Sequence, residues 1–126
     1  MKLSFSTKGW HNSTFDEFCD IAKDLKFEGI ELHNIHNRLF TDKDGAFHDY
    51  TSAATARRLY EKKLKLPCID VLCDIGAATK ADTAIEEFLK CVNIASNLNI
   101  PSIRVKAEKA VDTDAARNSV IAFINR

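Results

Sequence analysis

The feature of this sequence that most restricts its fold is a fourfold alternation of strand-like and helix-like segments. Short apolar or alternating runs occur at residues 2–6, 29–33, 67–73 and 101–106. Each run is followed by a longer segment whose apolar residues recur every three or four positions, the period of an amphipathic helix. Strands that alternate with helices pair in parallel, because a parallel pair needs a long crossover rather than a tight turn. The sequence therefore predicts an α/β fold of four consecutive β/α units with a parallel sheet.

The first helix carries the clearest local signal. Thr14 stands three residues before Glu17, so that each side chain can satisfy a free backbone N–H at a helix start. This capping box predicts a helix that begins beside Thr14. The apolar residues expected to pack on the sheet from this helix are Phe15, Phe18, Cys19, Ala22 and Leu25. The corresponding residues of the three later helices are Ala54 and Leu59, then Ile85, Phe88, Leu89, Val92 and Ala95, and then Ala116, Val120, Ile121 and Ile124.

Two other segments have distinct patterns. Residues 34–50 are polar and irregular, which predicts a long connection of the kind that often carries binding residues. Residues 67–73 are almost continuously apolar, which predicts a strand covered on both faces. Pro67 agrees with this prediction, because proline is tolerated at the first position of a strand.

The charge balance disfavours several classes of partner. The 18 Lys and Arg residues equal the 18 Asp and Glu residues, so the formal net charge is zero and nucleic acid is not expected as a partner. No window approaches the roughly 18 consecutive apolar residues of a membrane span, so no membrane partner is expected and a cytoplasmic location is predicted. The cysteines lie in apolar segments and form no CxxC pair, which predicts buried, reduced thiols at Cys19, Cys68, Cys73 and Cys91, with a disulfide framework or a zinc site as the alternatives.

The number of units suggests an incomplete barrel. A complete (β/α)₈ barrel contains eight β/α units and takes about 250 residues. With four units in 126 residues, the sequence is expected to form a single partial domain, 1–126, equivalent to the N-terminal half of a TIM barrel. A flavodoxin-like open sheet that binds a small ligand is an alternative, although the sequence has no Gly-rich phosphate loop.

Several segments resemble a known family. These are residues 3–6, 14–18, 98–105 and, above all, Phe27-Glu28-Gly29-Ile30-Glu31-Leu32-His33. In order and spacing they resemble the opening, the second strand and the fourth strand of the xylose isomerase-like TIM barrels, the superfamily of sugar (phosphate) isomerases and epimerases. The resemblance covers essentially the whole sequence and implies the N-terminal half of such a barrel.

The resemblance also implies a chemistry. Members of this superfamily catalyse a metal-assisted proton or hydride shift on a sugar or polyol, and they hold a divalent metal (Mg, Mn, Co or Zn) with side chains at the ends of the later strands. The sequence ends before a fifth strand, so we expect a metal in the complete barrel and none bound by these residues. The branch of the superfamily that cleaves DNA is disfavoured, because the sequence is neutral and lacks dense basic loops.

Candidate catalytic residues lie at the carboxyl end of the second strand, where parallel barrels carry their active sites. Glu31 and His33 are two residues apart on this strand and should project to the same side. A carboxylate beside an imidazole can orient it, and the pair could hydrogen-bond a sugar hydroxyl or relay a proton. The alternative is that neighbouring strands satisfy Glu31 as a buried polar residue, with His33 at the rim.

Candidate substrate-binding residues lie near the ends of the other strands. Trp10 follows a loop glycine and could stack on the apolar face of a sugar ring. Asp70 lies on the third strand. Arg104 and Lys106 share one side of the fourth strand and could bind a phosphate or carboxylate of the substrate. Arg104 could equally be a structural cation paired with Glu31 or Asp70.

The expected partners follow from these predictions. A sugar or sugar phosphate is the expected small-molecule partner. Four units of a barrel leave two unpaired sheet edges, so a homodimer or association with the missing half-barrel is also expected. A non-catalytic half-barrel that binds a partner or assembles with another copy is therefore the alternative to the isomerase or epimerase function.

Overall fold

A computed structural model of the chain describes residues 2–35, 38–74, 81–106 and 114–125. The strands are β1 (Ser4–Ser6), β2 (Gly29–His33), β3 (Ile69–Asp74) and β4 (Ile103–Lys106). The helices are α1 (Phe15–Asp24), α2 (Arg38–Thr41), α3 (Ser52–Glu61), α4 (Ala81–Leu98) and α5 (Asp114–Ile124). All pairings between these strands are parallel, and the strands lie in the order β1-β2-β3-β4. The prediction of four β/α units with a parallel sheet is confirmed.

The order of the strands separates a half-barrel from a doubly wound sheet. In the sheet of the described residues, each strand lies beside the strand that precedes it in the chain. A flavodoxin-like sheet reverses its strand order at a switch point, and its ligand binds there. The sheet described here has no such reversal, so the flavodoxin-like alternative is wrong.

One face of the sheet forms the core. Ile30 and Leu32 of β2 and Ile69 and Val71 of β3 are fully buried among residues of the helices. Leu32 is paired in register with Ile69, so these side chains form one continuous apolar layer. The opposite face is not covered in the same way, because Leu72 is 45% exposed. The prediction that the third strand is covered on both faces is therefore wrong for this chain.

The first helix forms as its sequence predicts. The Thr14 hydroxyl accepts a hydrogen bond from the Glu17 backbone N–H at 3.3 Å, and Glu17 Oε2 accepts one from the Thr14 N–H at 2.6 Å. The first four residues of the predicted apolar stripe are buried: Phe15, Phe18, Cys19 and Ala22. The fifth, Leu25, is 64% exposed because it lies beyond the last helical residue, where the chain turns away from the sheet.

The connection after β2 contributes to the core, which its polar composition did not predict. It contains the short helix α2 and places Ile35, Phe40 and Phe47 among the buried residues. The Phe47 ring lies 5.0 Å from that of Phe15 and 5.7 Å from that of Phe40. These apolar residues occur at no regular spacing in a largely polar segment, so no periodicity marks them as buried.

The buried faces of the middle helices differ in part from the predicted ones. On α3, Leu59 is buried as predicted, but Ala54 is exposed. On α4, Cys91 is fully buried, whereas Leu89 is 54% exposed and Val92 is also exposed. Apolar residues occupy more than one side of α4, so the three- and four-residue spacing alone did not identify the side that faces the sheet.

The last helix packs through part of its predicted stripe. Val120 and Phe123 are partly buried against the core, and the Phe123 ring contacts an aromatic ring of α4. Ile121 and Ile124 are exposed, so the prediction that they face the sheet is wrong. The side chain of Ala116, also predicted to face inward, lies outside the described residues.

The remaining predictions on the chain as a whole concern thiols and membranes. Cys19 is reduced and buried, as predicted, whereas Cys68 is reduced but only partly buried, and the side chain of Cys73 lies outside the described residues. Within the described part of the chain, no helix combines the length and the apolar character needed to cross a membrane.

Candidate functional site

Four polar residues lie together on the face of the sheet opposite the apolar core. His33 of β2 is paired in register with Asp70 of β3, and Asp70 is paired with Arg104 of β4. Glu31 precedes His33 by two positions on β2. Residues two apart on a strand share a face, so all four side chains project to the same side.

These side chains form one continuous set of contacts, here called the lumen network: Glu31, Arg104, Asp70 and His33. Arg104 Nη2 lies 2.5 Å from Glu31 Oε1, and Arg104 Nε lies 3.2 Å from Asp70 Oδ1. The other Asp70 oxygen, Oδ2, lies 2.6 Å from His33 Nδ1. The network therefore connects three adjacent strands, with Asp70 between a guanidinium and an imidazole.

Burial changes steadily across the lumen network. The Asp70 side chain is 2% exposed and that of His33 is 11% exposed, whereas Arg104 is 52% exposed. A carboxylate this buried requires partners that replace the water it has lost. His33 and Arg104 supply them, so Asp70 is held in one orientation while Arg104 closes the network toward the open side of the sheet.

The ionisation of Asp70 follows from these contacts. Burial acts to raise the pKa of the carboxyl group, but hydrogen bonds from Arg104 and His33, together with the charge of Arg104, outweigh it and lower the pKa below its usual value. In turn, hydrogen bonds to Asp70 and Glu31 raise the pKa of Arg104 above its usual value. The Asp70 carboxylate is therefore ionised at neutral pH and acts as a hydrogen-bond acceptor.

Thr7, which the sequence did not indicate, fixes the backbone of His33. Its hydroxyl oxygen accepts a hydrogen bond from the His33 N–H at 2.9 Å and donates one to the His33 carbonyl at 3.4 Å. The Thr7 N–H donates to the Glu31 carbonyl at 3.0 Å. Thr7 is buried immediately after β1, so it extends the β1–β2 pairing to the residue that carries the imidazole.

The other two predicted site residues lie at the margin of the lumen network. Trp10 is half-exposed in the loop after β1, and its ring makes an edge contact with Phe18 at 6.3 Å between ring centres. Lys106 is paired in register with Asp74, two residues beyond Arg104 on β4. The structure thus brings Glu31, His33, Asp70 and Arg104 together and leaves Trp10 to one side, against α1.

The residues of this site do not fit a divalent metal. Among the described residues, no group of three or more His, Cys, Asp or Glu side chains is arranged to hold a metal ion. Both carboxylates of the lumen network hydrogen-bond to Arg104, whose fixed positive charge would repel a cation. The expectation that a complete barrel holds a metal stays a prediction.

Comparison with known proteins identifies the fold. No family model and no curated protein matches the sequence. Solved structures do match, among them the probable 3-DHS dehydratase AsbF of Bacillus anthracis, involved in petrobactin synthesis, and protein SMc04130 of Sinorhizobium meliloti. The first has a TM-score of 0.74 and 23% identity over 98% of this chain and 46% of its own. The second has a TM-score of 0.67 and 18% identity over 97% of this chain and 43% of its own.

Both of these proteins are xylose isomerase-like TIM barrels. This chain has the fold of the N-terminal half of such a barrel. It spans less than half the length of either protein. In the half-barrel, the core face of the sheet packs on the helices, and the lumen network lies on the inner face toward the carboxyl ends of the strands. Enzymes with a complete TIM barrel carry their active sites at this end.

The half-barrel also clarifies the alternatives for Arg104 and Glu31. Both pairings that the sequence left open for Arg104 are present, because the guanidinium contacts Glu31 and Asp70 together. Glu31 is paired with Arg104 of β4, two strands away, and its side chain is 24% exposed, so it is not the buried residue satisfied by adjacent strands that the structural alternative described. Catalytic and substrate-binding roles for these residues stay predictions.

Proposed function

We propose that this half-barrel is the N-terminal part of a sugar isomerase or epimerase that shifts a proton or hydride between adjacent carbons of a sugar or polyol. The observation that supports the proposal most directly is the His33–Asp70 pair on the inner face of the strands. Proton transfer at carbon needs a positioned acid or base, and histidine is the side chain most often used for it. A dehydratase, the activity named for AsbF, needs proton transfer as well.

In this proposal His33 exchanges the proton and Asp70 positions it. The Asp70 carboxylate accepts a hydrogen bond from His33 Nδ1, which leaves Nε2 on the opposite edge of the ring as the nitrogen that faces a substrate. Glu31 binds Arg104 through Oε1, and its carboxylate has a second oxygen that can accept a hydrogen bond from a substrate hydroxyl. His33 and Glu31 are thus the proposed substrate-contacting residues of the lumen network.

The charge of the lumen network favours an uncharged part of the substrate. With a neutral imidazole, the two carboxylates and the guanidinium sum to one negative formal charge. A phosphate beside them would be repelled, whereas sugar hydroxyls can donate to the carboxylates and to His33. We therefore place the hydroxylated part of the substrate at the lumen network. The phosphate of a sugar phosphate would lie further along β4, near Lys106, and Trp10 would contact the sugar from the rim.

The test is a binding experiment with the purified chain. Ketoses and polyols are titrated into ¹⁵N-labelled protein, and we expect chemical-shift changes at His33 and its neighbours. His33→Gln should weaken this binding by about tenfold, because a hydrogen bond of this kind contributes roughly 1–2 kcal/mol. His48→Gln is the matched control, since His48 lies outside the lumen network. Shift changes that avoid β2, β3 and β4, or equal binding by both variants, contradict the proposal.

The second candidate function is a non-catalytic module that assembles with a partner. It is favoured by the exposed apolar residues of the last two helices, Leu89, Val92, Ile121 and Ile124. If the titrations detect no sugar on the inner face while the chain associates through these helices, the module is the better description. In either case a cytoplasmic location stays a prediction.

A further inference from the structure

We propose that the buried Asp70 carboxylate fixes His33 as the Nδ1–H tautomer, and that Arg104 is a positioning residue that holds the side chain at position 70 in one orientation. The role of this tautomer toward a substrate rests on the proposed function, but the tautomer itself can be measured without any substrate. The result would be an unprotonated Nε2 facing the inner side of the half-barrel, so that His33 meets a substrate as a base.

The two oxygens of Asp70 have different partners. Oδ1 accepts from Arg104 Nε at 3.2 Å, and Oδ2 faces His33 Nδ1 at 2.6 Å. A carboxylate can only accept hydrogen bonds, so the hydrogen of the shorter contact must be on Nδ1. Asp70 is almost completely buried, and water therefore cannot readily exchange with either partner.

Arg104 is itself held at two points. Its Nη2 contacts Glu31 on β2 while its Nε contacts Asp70 on β3. Guanidinium N–H groups donate and never accept, and the group keeps its charge at all ordinary pH values. The fixed Nε–H therefore requires an acceptor atom at the Oδ1 position of residue 70, whatever side chain is present there.

This requirement makes a specific prediction for Asp70→Asn. The amide has the shape of the carboxylate, but one of its two terminal atoms is an acceptor and the other a donor. Arg104 would hold the amide oxygen at the Oδ1 position, and the NH₂ group would then face His33 Nδ1. His33 would have to accept at Nδ1 and carry its hydrogen on Nε2, the reverse of the parent chain.

Nitrogen NMR of the imidazole rings measures the tautomer directly. In ¹⁵N-histidine-labelled chain at a pH where the ring is neutral, we expect Nδ1–H at His33 in the parent protein and a reversed tautomer ratio in Asp70→Asn. His33→Gln assigns the signals among the four histidines of the sequence. In the double variant Asp70→Asn/Arg104→Leu the amide is no longer held, and the ratio should shift back toward Nδ1–H.

The matched control is Asp70→Asn/Lys106→Leu. Lys106 is a cation on the same face of β4, but it is paired in register with Asp74, whereas Arg104 is paired with Asp70. This double variant should keep the reversed ratio of Asp70→Asn. If the Nδ1–H tautomer returned equally in the two double variants, the loss of a positive charge, and not the loss of the Arg104 contact, would explain its return. This result overturns the proposal.

Two further results overturn it. One is a dominant Nε2–H tautomer at His33 in the parent chain, a measurement that depends on no substitution and stands even where a variant does not fold. The other is an Asp70→Asn variant with a native backbone spectrum that keeps Nδ1–H. Sugar binding is recorded separately, so a reversed tautomer without any sugar contact at His33 would contradict the proposed function and leave the role of Arg104 intact.

Discussion

At the scale of single residues, the molecule is organised around one buried carboxylate. Asp70 lies at the point where a guanidinium from β4 and an imidazole from β2 meet, and Thr7 holds the backbone of the imidazole residue. Each of these groups satisfies a polar atom that would otherwise be buried without a partner. In the described residues, no buried side-chain nitrogen or oxygen lacks a hydrogen bond.

The depressed pKa of Asp70 predicts a loss of stability in acid. A carboxyl group with a lower pKa in the native state stabilises that state above its unfolded pKa, roughly 3.9 for Asp. This contribution is lost as the pH falls below about 4 and through the native-state pKa. We expect the difference in free energy of unfolding between the parent chain and Asp70→Leu to shrink over this range, as measured by urea denaturation.

The control for the acid experiment is Asp49→Leu, which replaces an exposed carboxylate outside the lumen network. Asp49→Leu should change the free energy of unfolding little at neutral pH. If the difference between the parent chain and Asp70→Leu is the same at pH 6 and at pH 3, Asp70 is not ionised in the way that its contacts require.

A second prediction at this scale concerns Cys19. The thiol is fully buried on α1, and this burial raises its pKa to about 11. Because the thiolate is the reactive form, Cys19 should resist alkylation by iodoacetamide in the native chain at pH 8 and react after unfolding in urea. Peptide mass spectrometry measures the labelled fraction. Rapid native labelling at Cys19 would show that α1 opens from the sheet far more often than its packing suggests.

The sequence predicted which residues of the lumen network share a face better than it predicted their contacts. Alternation along β2 and β4 correctly placed Glu31 with His33, and Arg104 with Lys106, on shared faces. It could not show that one Asp70 oxygen serves Arg104 and the other His33, because that depends on the register between strands distant in sequence. The part played by Thr7 was equally hidden, since a single threonine after a short strand has no periodicity or motif to mark it.

At the scale of elements, three helices end in the same way without glycine. α1, α3 and α4 are each followed by a residue with a positive φ: Lys26 at 60°, Lys63 at 55° and Asn99 at 54°. In each case this residue and the next donate backbone hydrogen bonds to carbonyls of the last helical turn. The chain can therefore leave each helix and enter the next strand segment in a few residues.

These helix ends predict that a substitution to glycine has opposite effects on stability at a helix end and inside a helix. Lys63→Gly should stabilise the protein by roughly 0.5–1 kcal/mol, because glycine adopts a positive φ without the strain of a Cβ, although the more flexible unfolded chain offsets part of the gain. Lys90→Gly, at an exposed position inside α4, should destabilise it by a similar amount. Chemical denaturation measures both effects. A destabilised Lys63→Gly variant would contradict the positive φ of Lys63 at the end of α3.

The elements also show where sequence patterns stop being informative. The capping box at Thr14 defines the start of α1, because both of its hydrogen bonds are made within four residues. The inward sides of α4 and α5 were predicted less well, because both helices carry apolar residues on exposed sides, among them Leu89 and Ile121. Spacing identifies a helix but cannot decide which of two apolar sides meets the sheet.

At the scale of the whole molecule, the described residues form a sheet with two open edges. β1 and β4 each have a neighbour on one side only within the described sheet. The order β1-β2-β3-β4 means that a second copy could place its β1 beside β4 and continue the parallel pairing. Two such contacts would close eight strands into a cylinder, and each copy would cover both edges of the other.

We therefore expect the purified chain to form a dimer, with the exposed residues of α4 and α5 in its interface. The side chains of Ile121 and Ile124 are 51% and 72% exposed, which is costly in water for residues of this size.

Ile121→Glu should shift the chain toward monomer in light scattering across a concentration series, because dimerisation would bury its charge. Tyr60→Glu is the matched control: Tyr60 is 85% exposed but lies on α3, away from the β4 edge, so this variant should associate like the parent. A parent chain that stays monomeric at high concentration, or an equal response of the two variants, would mean that the open edges and the apolar helix surface do not bind a second copy.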